Sequence, residues 1–454
     1  MDKTKIGKLS IYAVTWPIFI EMGLQMLMRV TDVFMLSHVS DEAVASVGVS
    51  NQIIKSAIIM FTFVAVGSSI VITQYLGAKR TSEIGRIVGL ALGINLLFGL
   101  FISILSVLFN RRLLSVFNLE SELLEMAQTY LYITGGALVV QALLTVTVAI
   151  IQAHGFTRHT MLVAIGMNML NIIGNYLFIF GSLGFPKIGV TGVAIATVVS
   201  QLIGLTANLI ILRKVVAVRL KWRNFVRWQR DHVAKVLQVG VPSAAVSLSY
   251  HVNQFVITVF ITSLSAITLT THIYTQNIIL IVMIMGLSLG RGMQIIVGHL
   301  VGEKKQEEAY IQVMRHLLRC ILITLLSVSI LCLFRAPLLE LFTDSSQIIQ
   351  IGSILILFSF LLEPGRNFNV ILERSLQASG DARFAMFSSI LITWLFSLPL
   401  TYLLGIHLGY GLFGIWAAFI IDEWIRGLVL FFRWRSKDWQ KKALVQKKAD
   451  SISV

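Results

Sequence analysis

Gln152-Ala-His-Gly155-Phe-Thr-Arg158 is answered 225 residues later by Gln377-Ala-Ser-Gly380-Asp-Ala-Arg383. The same displacement carries Leu76-Gly77-Ala-Lys79-Arg80 to Val301-Gly302-Glu-Lys304-Lys305, and Pro17 to Pro242. A constant offset at three landmarks reads as a duplicated chain, two similar halves in tandem. In a chain as apolar as this one, such a repeat points to a transporter.

Composition fixes the medium. Hydrophobic residues make up 56% of the chain, charged residues 13%, and the mean hydropathy is +0.83. Soluble domains carry about 25% charged residues, and a soluble core this apolar would leave large exposed patches. A membrane-spanning helix needs about 20 apolar residues. Twelve stretches qualify: 9–37, 46–76, 83–109, 124–152, 160–183, 189–212, 234–264, 270–301, 310–334, 348–377, 384–406 and 411–432. The short alternating segments of a membrane barrel are absent. Met1-Asp-Lys-Thr-Lys-Ile-Gly-Lys8 is built like a signal n-region. The apolar stretch behind it is too long for a signal and lacks a small-residue cleavage site, so it reads as the first span. Cys320 and Cys332 lie in one apolar helix and read as packing residues. The expected fold is therefore an all-α integral membrane protein, with twelve transmembrane helices in two six-helix lobes.

Charge gives the topology. Basic residues cluster at alternate connections: Lys3, Lys5 and Lys8; Lys79, Arg80 and Arg86; Arg158; Lys304, Lys305, Arg315 and Arg319; Arg383. The linker after span six holds Arg213, Lys214, Arg219, Lys221, Arg223, Arg227, Arg230 and Lys235, and the tail runs from Arg433 and Arg435 to Lys447 and Lys448. The opposite connections hold only Arg111, Arg112, Lys187 and Arg335. The positive-inside rule puts both termini in the cytoplasm, in the cell (inner) membrane. The net charge of +15 is then a matter of topology and anionic lipid, not of a nucleic-acid partner. Six spans per half is an even number, so the halves run the same way and the repeat is parallel, related by a pseudo-two-fold along the membrane normal. The expected divisions are a lobe over 1–215, a basic linker over 216–232, a second lobe over 233–435 and a basic tail over 436–454.

Polar residues inside the spans carry the function. A carboxylate at membrane depth costs about 2.5–3.5 kcal/mol on insertion scales. Asp32 lies deep in span one, with Glu21, Gln25 and Arg29 on the same helical face by their spacing. Two roles stay open: a structural Arg29–Asp32 pair, or a carboxyl that takes up and releases a proton. Asn168, Asn171 and Asn175 form one face of span five, suited either to interhelical glue or to completing a proton or cation site with Asp32. Glu21 is open to a second role, in a water-filled cavity. Span ten carries Glu363, Arg366 and Asn369, a helix-internal pair or a substrate contact, and Arg291 in span eight and Gln52 in span two are further cavity candidates. Pro17 and Pro242 read as hinges, since a proline removes one helical hydrogen bond. Ile257 stands where the repeat would copy Asp32, so the halves differ in chemistry.

Pro17 followed by Asp32, the two Gln-Ala-X-Gly motifs, Asn171-Ile-Ile-Gly-Asn175-Tyr-Leu-Phe-Ile-Phe-Gly181, and Gly414-Ile-Trp-Ala-Ala418 leading to Asp422 and Arg426 together resemble the multidrug and toxic compound extrusion family, over nearly the whole chain. Glu363-Pro-Gly-Arg366-Asn-Phe-Asn369 resembles a bacterial branch that includes a flavin exporter. The resemblance implies two six-helix lobes and export of amphipathic compounds, cationic drugs or flavin-like molecules, in exchange for a proton or sodium ion. It gives Asp32, Asn171 and Asn175 the coupling role. Some relatives carry Asp at the position of Asn175, so this chain lacks one carboxylate that a two-acid site would use. Sodium-coupled relatives use acids where this chain has Tyr250 and Phe368, which favours the proton. No phosphate-binding loop, zinc pattern or nucleophile elbow occurs, so neither an enzyme nor a cofactor is expected. The expected state is a monomer. A lipid-linked precursor flippase of related plan is the alternative, and it needs a strongly cationic cavity.

Overall fold

The computed structural model describes residues 10–218 and 223–445. Lys3, Lys5, Lys8, Arg219, Lys221, Lys447 and Lys448 lie outside them, as do parts of the expected linker and tail. The described chain is helical, and we number its long helices in order. The first half holds α1 (Ile11–Leu36), α2 (Asp41–Gly77), α3 (Thr81–Leu108), a bent α4 (Ser121–Gly136 and Leu138–Ala153), α5 (Thr157–Phe180) and α6 (Gly189–Lys214). The second holds α7 (Arg230–Leu264), α8 (Ala266–Gly302), α9 (Gln306–Leu333), α10 (Ser346–Ser379), α11 (Ala382–His407) and α12 (Gly411–Arg435). Ten of these and the bent α4 are long and apolar enough to cross a bilayer. The other, α12, has 25 residues, but Asp422, Glu423 and Arg426 interrupt its apolar run.

The repeat is drawn in the helix bounds. Shifting α2 and α3 by 225 residues lands on α8 and α9 end for end, and the short helix Asn110–Ser115 lands on Arg335–Glu340. Gly155 and Gly380 both take positive φ, +82° and +99°, at the turns closing α4 and α10. Only glycine adopts that backbone without cost. Three departures break the copy. Gly135-Gly136 weakens α4, which bends by 47° there, and Ser103 of α3 accepts the freed Val139 N–H at 2.9 Å. The matching stretch of α10 runs straight through. Span eleven instead widens into π turns at Thr393–Ser397 and Leu403–His407, on either side of Pro399.

The chain divides into two compact units. The N unit is Trp16–Leu76 with Arg80–Ala244; the C unit takes the segment ending at Thr15, Gly77–Lys79 and the chain from Ala245 onward. The chain thus passes from one unit to the other within a few residues of Pro17 and of Pro242. Within the C unit, Thr15 packs on Gly292 of α8; within the N unit, Gly240 packs on Gly67 of α2. Both prolines lie inside otherwise continuous helices.

Each unit keeps large apolar side chains on its outside. Leu318, Leu322, Leu326 and Ile330 form an exposed stripe along α9, and Leu97, Phe101, Ile104 and Leu108 do so along α3. In a chain whose described residues hold ten or eleven apolar spans such stripes face lipid. The C unit is closed at one end by the segment that follows α12. Trp439 stacks on Trp434 with ring centroids 4.0 Å apart, and both are fully buried. Both tryptophans belong to the apolar core of the C unit. Asp381, at the start of α11, makes no cap bond and pairs with Arg433 at 2.8 Å.

Candidate functional site

In the N unit, Asp32 of α1 meets the polar face of α5. Asn175 donates to Asp32 Oδ1 at 2.6 Å, and its amide nitrogen also lies 3.3 Å from Asn171 Oδ1. Asn171 in turn donates to Thr197 Oγ1 of α6 at 3.2 Å. Helix packing sets this up: a side chain at Gly174 would strike Ala196, so α5 and α6 lie close enough for Asn171 to reach Thr197. Both asparagines are fully buried, while Asp32 is half-buried. Tyr130 of α4 lies against the same group, its hydroxyl interacting with Asn51 and Thr197 and with the Asp32 charge. The result is a carboxyl in a cage of neutral amide and hydroxyl groups, able to accept hydrogen bonds when ionised and to donate when protonated.

The other residues of the α1 face go elsewhere. Arg29 is exposed and donates to the Gln25 carbonyl at 3.2 Å, so no Arg29–Asp32 ion pair forms. Gln25 and Gln52 are exposed. Asn168 spends its amide on the Ala164 carbonyl of its own helix. Glu21 is buried, and its Oε2 accepts from Gln152 at 3.1 Å and Thr160 at 2.8 Å. Gln152 belongs to the repeated motif, and its copy Gln377 likewise donates to a carboxylate, Glu373, at 2.7 Å. The repeated glutamine was thus a legible signal for two carboxylate clamps.

The C unit holds a charged network in place of a second Asp32. Ile257 packs in an apolar cluster with Ile261, Ile279 and Trp416. Between α10 and α12, Arg366 pairs with Glu363 at 2.6 Å and with Glu423 at 3.4 Å. Glu423 also accepts from Asn369 at 2.8 Å and pairs with Arg426 at 3.1 Å, and Arg426 holds Asp422 at 2.5 Å. A side chain at Gly365 would enter the Trp424 indole and one at Gly427 the Phe368 ring, so only glycines allow this approach of α10 to α12. Trp424 donates to the Leu361 carbonyl beside Pro364, where the helix ladder is weakest. The close crossing adds Arg366 to Arg426, the partner Glu423 has within α12. Arg291 is half-buried in α8.

Two helical units, a caged carboxyl and a buried ion network on lipid-clad helices define a membrane transporter. The family profile MatE matches the chain twice, over residues 17–177 and 242–403, and both matches begin on the prolines. The chain belongs to the multidrug and toxic compound extrusion (MATE) family of efflux transporters. It is 41% identical over 443 residues to the uncharacterized transporter YisQ of Bacillus subtilis (strain 168), covering 98% of this chain and 96% of that one. It is 25% identical to the probable multidrug resistance protein NorM of Thermotoga maritima, covering 94% and 91% of the two chains. A crystal structure of MATE in the bent conformation superposes with a TM-score of 0.88 at 21% identity, covering 97% of this chain and 99% of that one; this likeness concerns the fold alone.

Proposed function

We propose that the chain is a secondary active exporter of amphipathic organic compounds, cationic drugs or flavin-like molecules, driven by antiport of protons with alternating access to the two sides of the membrane. The supporting observation is Asp32, a carboxyl at membrane depth tied to Asn175 and not to an arginine. Charged residues persist at such depth when they serve an ion or substrate path. Its neighbours are neutral, so a change of protonation at Asp32 changes the local charge outright. A protonated Asp32 can no longer accept as an ion from Asn175, and the α1–α5 contact loosens or shifts. Pro17 lies in the same helix and gives it a place to bend.

The hypothesis has Asp32, Asn171 and Asn175 coupling the ion, and Pro17 and Pro242 as hinges. The acids Glu21 and Asp32 suit cationic compounds. Multidrug resistance in the NorM relative's name supports the same substrate class. A lipid-diphosphate flippase is less well supported, because Arg366 and Arg426 are both neutralised by carboxylates. Both termini are assigned to the cytoplasm on charge asymmetry, and the transporter is taken to act as a monomer. Counterflow in proteoliposomes with ethidium, flavin mononucleotide and a lipid diphosphate tests the substrate class. Exchange of either of the first two is expected; flipping of the lipid with neither dye moving would overturn it.

A further inference from the structure

Basic residues are scarce at the connections opposite the Lys- and Arg-rich ones, yet Arg111 and Arg112 stand there together. They follow α3 at the end away from Lys79 and Arg80. Arg112 lies over the Phe109 ring, 5.8 Å from its centroid. The Arg111 guanidinium is exposed and makes no hydrogen bond or ion pair among the described residues. Arg111 lines a cavity of about 440 Å³ between the end of α3, the short helix Asn110–Ser115 and the first segment of α4. Leu108 and Ile133 give this cavity an apolar wall, and Asn110, Gln128 and Tyr132 give it polar groups. Among the described residues no carboxylate lines it, so the protein supplies Arg111 with no counter-charge there.

The surroundings say what fits the cavity. Leu97, Phe101, Ile104 and Leu108 form the lipid-facing stripe of α3, and Leu108 carries that stripe into the cavity wall. A ligand seated there lies against acyl chains. Tyr132 is exposed beside it, an aromatic side chain with a hydroxyl, suited to headgroup level. Asn110 is buried, donates its amide nitrogen to the Gln128 backbone carbonyl at 2.8 Å, and keeps an amide oxygen with no partner. The lining thus holds one free cation, one unused acceptor and an apolar flank. The repeat does not copy it. Ala336 stands for Arg111, Ser353 for Gln128 and Leu357 for Tyr132. Arg335, which stands for Asn110, donates to the Cys332 carbonyl at 3.3 Å.

We infer that this cavity is a phospholipid site of the N unit, taking an anionic headgroup that joins a phosphate to a hydroxyl donor, as in phosphatidylglycerol. The phosphate pairs with Arg111, whose planar guanidinium suits it. The glycerol hydroxyls supply the donor that the Asn110 oxygen lacks, and an acyl chain runs along Leu108 and Ile104 of α3. Basic pockets between spanning helices recognise headgroups in this way. A choline headgroup is neutral overall and has no donor, so it meets neither need. The lipid sits beside a close approach of α3 to α4, where a side chain at Gly135 would strike Ser106. It braces the corner from which α4 bends. The site depends on the membrane setting alone, not on the coupling ion or the exported substrate.

The test is thermal unfolding of the purified full-length protein in detergent with dioleoyl phosphatidylglycerol or dioleoyl phosphatidylcholine added, beside native mass spectra of the same samples. A ligand of the folded state raises the unfolding temperature. Phosphatidylglycerol is expected to raise it further than phosphatidylcholine in the parent and to leave a one-lipid adduct. Arg111→Ala is expected to unfold at the parent temperature without lipid, to lose most of the extra rise, and to bind the first phosphatidylglycerol at least about tenfold more weakly. Arg111→Lys keeps part of the rise, and Arg335→Ala, its counterpart in the second half, keeps all of it. An Arg111→Ala protein that answers phosphatidylglycerol as the parent does overturns the site and leaves the lipid on the basic loops. An equal response to the choline lipid overturns the headgroup, and an equal response to glycerol 3-phosphate overturns the lipid in favour of a free phosphate. If Arg111→Ala does not fold, a photoreactive phosphatidylglycerol is crosslinked to the parent. Labelling within residues 107–133 is expected, and labelling confined to other segments overturns the inference.

Discussion

At membrane depth an acid survives by what surrounds it, and the two units surround theirs differently. Asp32 is caged by amides and hydroxyls; Glu363 is answered by the Arg366 guanidinium. Asn175 is the direct partner of Asp32, and a hydrogen bond to a charged group contributes about 1.5–3 kcal/mol. Asn175→Ala is therefore expected to lower coupled exchange by at least about tenfold, whereas Asn168→Ala, which removes only a bond to its own helix, leaves it near the parent rate. Initial rates of pH-driven efflux from vesicles of the two variants separate them; equal losses would contradict the cage. Asp32, Asn171 and Asn175 were legible in the sequence because amides and carboxylates are rare in apolar spans. Thr197 and Tyr130 were not, because a hydroxyl can satisfy itself on its own helix and its spacing marks no partner. The contact of Glu423 with Arg366 was not legible either. Spacing along one helix cannot say that two glycines on different helices will bring a third charge into reach.

At the scale of the helix, the prolines and the bend mark where the elements are built to yield. The short segment of α1 up to Thr15 is packed with the C unit and the rest of α1 with the N unit, so Pro17 stands at a junction. Pro17→Ala restores a helical hydrogen bond and is expected to slow exchange several-fold while thermal unfolding in detergent stays level or rises. A variant that transports at the parent rate would remove the hinge role. The α4 bend depends on Ser103, so Ser103→Ala strands the Val139 N–H and is expected to cost about 1–3 kcal/mol in unfolding. The tail is a closing element: Trp439→Ala empties a buried stacked site and is expected to cost about 3–5 kcal/mol. Helix number and order were readable from apolar stretches alone. The bend in α4 and the π turns of α11 were not. They are choices between near-equal backbone ladders, decided by Ser103 in one case and by Pro399 in the other.

At the scale of the molecule, duplication gave two six-helix halves with matching bounds, and divergence gave them unlike interiors. The 225-residue offset foretold the repeat, and the family profile's double match repeats it from Pro17 and Pro242. What the offset could not foretell is that the copy of Asp32 is the core residue Ile257, with the charge of the C unit moved to α10 and α12. If ions couple to transport through Asp32, then the driving ion is a property of the N unit, and the substrate need not touch the C-unit network. The most direct test is efflux of a cationic dye from proteoliposomes after a pH jump or a sodium jump, in the parent and in Asp32→Asn. A pH jump alone should drive efflux in the parent, a sodium jump at constant pH should not, and Asp32→Asn should respond to neither while unfolding at the parent temperature. Efflux driven by sodium alone, or a pH response intact in Asp32→Asn, would contradict the central claim.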